Sequence, residues 1–169
     1  MSAERRLLSA IVPLAPAHKV GAFACGDRDI DTFLRERAAA EQALRLSQVY
    51  VSTNDEDEVV AYFTLSPISA RIDARLLEHI GAPGTAYSTI GGFLLGRLGV
   101  HEKLQRRGIG EALVMRAAQI AKHQAEIVGG VFVAVDPKTD RLATWYKKQD
   151  FVQLGAQSRR LVLPLRMVP

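Results

Sequence analysis

The stretch that decides the fold of this chain begins with Leu98-Gly99-Val100 and continues, after a four-residue connector, as Gln105-Arg106-Arg107-Gly108-Ile109-Gly110. An alanine-rich segment with helical spacing follows, so the pattern predicts a strand, a glycine loop and the start of a helix. Glycines at 108 and 110 let the backbone approach a ligand with no β-carbon in the way. The first N–H groups of a helix have no partner within it, and the helix dipole adds partial positive charge there. The loop therefore predicts a site for an anionic group such as a pyrophosphate.

Two arginines in the loop, Arg106 and Arg107, add charge-assisted hydrogen-bond donors for such a group. Taken alone, the glycines are also compatible with a plain strand-to-helix turn. Two other phosphate motifs are excluded. The loop lacks the Gly-Lys-Ser/Thr of a P-loop, and no acidic ribose partner follows a full dinucleotide-binding fingerprint.

The overall composition is that of one ordinary globular domain: 169 residues, 48% hydrophobic and 24% charged. We therefore expect residues 1–169 to form a single domain. Only one cysteine, Cys25, is present and no residues have metal-ligand spacing, so neither a disulfide framework nor a metal site is expected. The apolar run at residues 7–15 is too short to span a membrane and lacks a convincing signal cleavage site. We expect a cytoplasmic chain with no membrane partner, whose net charge of +4 modestly favours polyanionic partners.

Strand-like and helical patterns alternate along the chain. Strands are predicted at residues 8–14, 49–53, 59–66, 93–100, 131–135 and within 151–165, and helices at 27–46, 72–79, 110–125 and 140–148. Asp27 or Asp29 is the expected N-cap of the first helix, and Pro67 should bend or bulge its strand. Gly129 and Gly130 should end the third helix. Because the first half is hairpin-like, we predict a mixed α+β sheet with parallel and antiparallel parts, not a doubly wound sheet.

The strand and loop, read together as Leu98-Gly99-Val100 and Gln105-x-x-Gly108-x-Gly110, resemble motif A of the GNAT N-acetyltransferase family. Residues 133–136 followed by Trp145-Tyr146-Lys147-Lys148-Gln149-Asp150-Phe151 resemble that family's second half. The resemblance implies a central mixed, mostly antiparallel sheet flanked by helices, with a splayed parallel strand pair that receives the pantetheine arm of acetyl-CoA. Asp150 departs from the family pattern, which usually has glycine there, and this puts the local turn geometry in question.

The resemblance also implies the residues of the site. Acetyl-CoA would be the acetyl donor, held by Leu98, Gly99, Val100, Gln105, Arg106, Arg107, Gly108, Ile109 and Gly110. Tyr146 would lie beside the cofactor sulfur as general acid, although the residue pattern alone favours a half-buried aromatic with a hydrogen-bonded hydroxyl. The backbone N–H of Val100 would stabilise the oxyanion. No general base stands out, since the four histidines are scattered; His101 adjoins Val100, and Glu102 could act through water.

A finer resemblance covers Phe23-x-Cys25-Gly26-Asp27-x-x-Ile30-Asp31-x-Phe33-Leu34 and Val60-Ala61-Tyr62-Phe63-Thr64-Leu65-Ser66-Pro67. Both are similar to the toxin branch of the family, whose members acetylate the α-amine of aminoacyl-tRNA and block translation. The resemblance implies an aminoacyl-tRNA substrate, a cognate ribbon-helix-helix antitoxin and a homodimer. Two alternatives stay open: an acetyltransferase of a small amine or a protein N-terminus, and a non-catalytic coenzyme A-binding module.

Basic residues scattered along the chain are candidates for holding a tRNA acceptor stem by phosphate contacts, provided that several of them converge. These candidates are Arg35, Arg37, Arg45, Arg71, Arg75, Arg97, Lys147, Lys148, Arg159 and Arg160.

Overall fold

The structure, a computed structural model, describes residues 10–84 and 87–169. Its strands are β1 (Val12–Pro13), β2 (Gln48–Thr53), β3 (Val59–Arg71), β4 (Thr89–Val100), β5 (Phe132–Val135), β6 (Val152–Gln153) and β7 (Leu161–Pro164). Within the described residues they form a seven-stranded sheet in the order β1-β2-β3-β4-β5-β7-β6. Residues 8 and 9 of the first predicted strand lie outside the described part of the chain.

The sheet is mostly antiparallel. Antiparallel ladders join β1 to β2, β2 to β3, β5 to β7 and β6 to β7, whereas β4 and β5 are parallel. The parallel ladder covers two Cα pairs, Phe93 with Val133 and Leu94 with Ala134, while β4 itself continues to Val100. The predicted mixed fold with one parallel strand pair is confirmed.

The helices are α1 (Arg28–Thr32), α2 (Ala38–Ala43), α3 (Ala74–His79), α4 (Ile109–Val128) and α5 (Asp140–Lys147). A π-helical turn, Phe33–Arg37, joins α1 to α2, and 3₁₀ turns lie at Glu102–Leu104 and Leu165–Met167. The predicted first helix thus exists, but a π turn interrupts it. None of the described helices is both long and apolar enough to cross a bilayer.

Several boundaries differ from the sequence prediction for local reasons. Helix α3, predicted to start at residue 72, starts at residue 74, because the Asp73 carboxylate caps it by accepting from the Leu76 N–H at 2.9 Å. The strand predicted at residues 59–66 is too short, since β3 continues through Pro67 to Arg71. Proline has a φ compatible with extended backbone and lacks only a donor, so it need not end a strand. A bend or bulge at Pro67 stays a prediction, and the hairpin of β2 and β3 has a register shift between Ser52 and Thr53.

Other predicted boundaries of helices are confirmed by the structure. Asp27 is the N-cap of α1, its side chain accepting from the N–H groups of Asp29 and Ile30 at 2.9 and 3.3 Å. Gly129 and Gly130 follow α4 with φ of 85° and 127°, a conformation that favours glycine after a helix. The predicted strand material at 151–165 divides into β6 and β7.

The chain divides into two compact units, residues 1–66 with 97–114, and residues 67–96 with 115–169. The first unit has a core that includes Phe23, Phe33, Leu34 and Tyr62, whose hydroxyl donates to the Ile30 carbonyl at 2.6 Å. The second unit has a core of its own, which is formed by Ala70, Ile72, Leu76, Ile80, Phe132, Ala134 and Val162. Burial of these apolar side chains stabilises each unit. The single domain over residues 1–169 stays a prediction.

Candidate active site

The glycine loop lies between the 3₁₀ turn Glu102–Leu104 and the start of α4 at Ile109. Its backbone contains two left-handed residues, Arg106 with φ 62° and Gly108 with φ 75°. The Gly108 carbonyl accepts the first helical hydrogen bond, from the Ala112 N–H at 3.2 Å. A β-carbon placed on Gly108 would meet no atom within 4 Å, so the space beside this residue is open. The loop therefore presents open backbone at the positive end of a 20-residue helix.

The loop side chains divide into exposed and buried ones. Gln105, Arg106, Arg107 and Gly108 are exposed, whereas Ile109 is 3% exposed and anchors the first turn of α4 in the core. Two exposed guanidinium groups beside open backbone N–H groups suit a diphosphate better than a neutral ligand. The residues present therefore fit the diphosphate of coenzyme A.

Gln105 has a role that the motif did not reveal. Its side-chain amide nitrogen donates to the Cys25 carbonyl at 2.6 Å and to the Val100 carbonyl at 2.8 Å. These two bonds tie the start of the loop to the end of β4 and to a segment 80 residues earlier in the chain. The amide donors of Gln105 thus hold the loop in place.

The end of β4 brings the remaining motif residues together. Val100 is 8% exposed and directly precedes the loop, while Leu98 is partly buried. Gly99 lies against other parts of its unit, because a β-carbon there would come within 2.8 Å of Ile30 and 3.0 Å of Phe23. A glycine is required here for close packing, which the sequence did not show.

His101, the histidine next to Val100, has a structural role. Its Nδ1 accepts from the Lys103 N–H at 3.2 Å and caps the 3₁₀ turn, and its ring contacts Phe23 edge-on at a centroid distance of 6.3 Å. Its backbone N–H donates to the Val60 carbonyl at 2.8 Å. These contacts engage Nδ1 in the turn, so His101 is a poor candidate for the general base.

Tyr146 occupies the buried face of α5, which Thr139 caps by accepting from the Leu142 N–H at 3.1 Å. The residue is 9% exposed, and its ring contacts Trp145 and Phe151 edge-on at centroid distances of 4.8 and 5.3 Å. Burial raises the pKa of Tyr146 to about 12. In the described part of the chain its hydroxyl has no hydrogen-bond partner. The phenol therefore keeps its proton at neutral pH and has it available to donate.

The turn after α5 contains Asp150, the departure from the family pattern. Asp150 takes a φ of 68°, the left-handed conformation that glycine adopts most easily. Aspartate is one of the few other residues that tolerates this region. The turn therefore keeps its glycine-like geometry despite the substitution.

The predicted basic residues are not equivalent. Arg160 makes a bidentate pair with Asp136, at 2.7 and 2.8 Å, and Arg35 donates to the Phe23 carbonyl at 2.9 Å. Arg159 donates to the Lys138 carbonyl at 3.3 Å and lies 3.8 Å from the Asp140 carboxylate. Arg97 lies over the Phe33 ring, with 3.7 Å from its guanidinium carbon to the ring centroid. The other candidates are exposed: Arg37, Arg45, Arg71, Arg75, Lys147 and Lys148.

Comparison with known proteins shows the family to which the chain belongs. The model of the acetyltransferase (GNAT) family matches residues 23–151. The chain is 28% identical over 142 residues to the tRNA-acetylating toxin of Mycobacterium tuberculosis, covering 82% of this chain and 81% of that protein.

Two solved structures show the same fold. AtaT complexed with acetyl-methionyl-tRNAfMet is 22% identical, with a TM-score of 0.83 over 92% of this chain and 94% of that one. A crystal structure of a KacT mutant is also 22% identical, with a TM-score of 0.82 over 94% of this chain and 95% of that one. Because the family model covers both the glycine loop and Tyr146, the chain belongs to the acetyltransferase (GNAT) family.

Proposed function

We propose that this chain is an acetyl-CoA-dependent N-acetyltransferase that acetylates the α-amine of aminoacyl-tRNA. The observation that carries the acetyl-CoA part is the glycine loop, which offers open backbone at Gly108 and two exposed arginines at the start of α4. In this proposal the loop binds the diphosphate, and Leu98, Gly99, Val100, Gln105, Ile109 and Gly110 shape or hold the same site. The similarity to a tRNA-acetylating toxin over most of the chain supports the choice of acceptor.

The reaction joins the amine nitrogen to the acetyl carbon and breaks the bond from that carbon to sulfur. The amine must be neutral when it attacks, the tetrahedral oxyanion needs a hydrogen-bond donor, and one proton must pass from nitrogen to the leaving sulfur. An α-amine has a pKa of about 8, so a useful fraction is neutral at physiological pH without a dedicated base. This fits a site in which His101 is engaged as a cap.

Tyr146 supplies the donor for the leaving sulfur. With a pKa of about 12, the phenol is a weaker acid than an ordinary thiol, whose pKa is about 8.5. Tyr146 therefore donates a hydrogen bond that stabilises negative charge on sulfur, and the proton released by the amine balances the reaction. The Val100 N–H is the proposed oxyanion donor.

The same proposal includes the biological setting. Acetylation of the α-amine would remove the nucleophile needed for peptide bond formation, so the enzyme would act as a toxin in the cytoplasm. We propose that a ribbon-helix-helix antitoxin restrains it and that the toxin is a homodimer. The fold of this chain is also similar to that of a chain in a KacTA–DNA complex, with 20% sequence identity and a TM-score of 0.77.

The test is incubation with acetyl-CoA and total charged tRNA, in parallel with free polyamines and with peptides. Acetylated aminoacyl esters, identified after base hydrolysis by mass spectrometry, are the expected product. Tyr146→Phe should keep acetyl-CoA binding but slow turnover roughly 10²-fold or more, as expected when a hydrogen-bond donor to the developing negative charge is lost. Acetylation of peptides or polyamines alone would reject the tRNA acceptor, and equal turnover of the variant would remove Tyr146 from the reaction.

A further inference from the structure

Two guanidinium groups lie over the Phe33 ring. Arg97 lies 3.7 Å from its centroid and Arg37 lies 5.2 Å from it. Phe33 itself is 2% exposed and stacks on Tyr62 at a centroid distance of 6.4 Å and an interplanar angle of 16°. The ring is thus fixed by the core of its unit. Arginines that stack on it are held in a defined orientation at low entropic cost.

Both the backbone and the side chain of Arg97 have fixed contacts. Its backbone N–H donates to the hydroxyl of Thr64, a side chain 2% exposed, at 3.0 Å. Its guanidinium stacks on Phe33. Stacking uses the face of a guanidinium and leaves the N–H groups at its edge, which is the arrangement that binds a phosphate through two parallel hydrogen bonds.

The charge of Arg97 has no carboxylate partner among the described residues. The neighbouring Arg37 pairs with Glu41 through one contact of 3.6 Å, with exposed fractions of 55% and 27% for the two side chains. An exposed pair of this kind is weak and leaves most of the guanidinium donors accessible. Unlike Arg160, whose guanidinium makes a bidentate pair with Asp136, the two arginines on Phe33 keep N–H donors available for an anion.

We propose that Arg97, oriented by Phe33 and assisted by Arg37, binds a backbone phosphate of the nucleic-acid acceptor. This rests on the proposed function, since it assigns a contact to the aminoacyl-tRNA substrate. Coenzyme A also carries phosphates, but its diphosphate is assigned to the glycine loop, which has Arg106 and Arg107 of its own. Arg97 lies on β4 before the end of that strand, outside the loop.

The experiment compares wild type with Arg97→Ala and Arg97→Lys in binding of fluorescently labelled, uncharged tRNA from about 50 to 200 mM salt. Arg97→Ala should weaken binding roughly 10-fold at the lowest salt and reduce the slope of log affinity against log salt by about 0.7–0.9. Arg97→Lys should keep the slope but bind more weakly than wild type, because lysine lacks the planar fork. Arg116→Ala is the matched control, since it removes an exposed arginine that stacks on no aromatic ring among residues 10–84 and 87–169.

Other readouts separate the sources of phosphate and the possible roles of Arg97. Acetyl-CoA affinity, measured by calorimetry, should stay within about twofold in Arg97→Ala. Loss of acetyl-CoA affinity with unchanged tRNA affinity would overturn the proposal, because the phosphate would then belong to the cofactor. A lower melting temperature with an unchanged salt slope would also overturn it, because Arg97 would then act only in packing. If wild type acetylates charged tRNA and Arg97→Ala keeps its slope, the inference fails while the proposed function stands.

Discussion

Replacing Gly108 provides the most direct test of the loop. Gly108 has a φ of 75°, where any residue with a β-carbon is strained by roughly 1–2 kcal/mol. No atom lies within 4 Å of the position that its β-carbon would take, so no steric term is added in the free protein. Gly108→Ala and Gly108→Glu should therefore lose similar stability. For a chain of this size, we expect the melting temperature to fall by roughly 2–8 °C in both variants.

Ligand binding should separate the two variants. A carboxylate about 5 Å from a phosphate charge, at an effective dielectric constant of about 20, opposes binding by roughly 3 kcal/mol, or about 10²-fold in affinity. Gly108→Glu should thus lose at least that much affinity for acetyl-CoA, and Gly108→Ala clearly less. Isothermal titration calorimetry measures both, with differential scanning fluorimetry for stability. Undiminished affinity in Gly108→Glu, with the expected stability loss, would refute the assignment of the diphosphate to this loop.

Two further predictions concern residues outside the loop. Burial, together with the side-chain hydrogen bond to Asp31, raises the pKa of the Cys25 thiol from 9 to about 12. Because the thiolate is the reactive form, the native thiol should react with Ellman's reagent at pH 8 roughly 10²–10³-fold more slowly than the thiol of the denatured chain. Equal rates would show that the thiol is accessible and unperturbed. Asp150→Gly should relieve the left-handed strain at φ 68° and raise the free energy of unfolding by about 0.5–1 kcal/mol in urea denaturation, whereas the control Lys148→Gly should lower it. Destabilisation by Asp150→Gly would mean that its side chain stabilises the turn.

Much of the fold follows from short-range patterns. The hairpin of β2 and β3, the helix that begins after the glycine loop and the glycines that end it were all predicted within a few residues, because turns, caps and amphipathic periods depend on neighbours in sequence. Two features of the backbone were not predicted. The π turn within the first helix and the passage of β3 through Pro67 both depend on packing, which a residue pattern does not report.

The candidate site, like the fold, could be predicted from the sequence only in part. The spacing of the loop glycines and the position of Tyr146 identified the family, but not the bonds that position the loop. The contact of Gln105 with the cofactor stays a prediction, and the structure adds that its amide nitrogen bonds two carbonyls, one of them 80 residues away. The basic residues could not be sorted from the sequence, since only the structure shows that Arg160 pairs with Asp136 while Arg97 stacks on Phe33.

The amino-acid sequence by itself determined the order of strands and helices, the left-handed glycine of the loop and the cationic side chains beside it. Each of these depends on a few consecutive residues. Only the tertiary structure decided that burial raises the pKa of Tyr146, that Gly99 has no room for a side chain and that Gln105 fastens the loop. Those properties arise from desolvation and close contact between residues far apart in sequence, and such contacts exist only once the chain has folded.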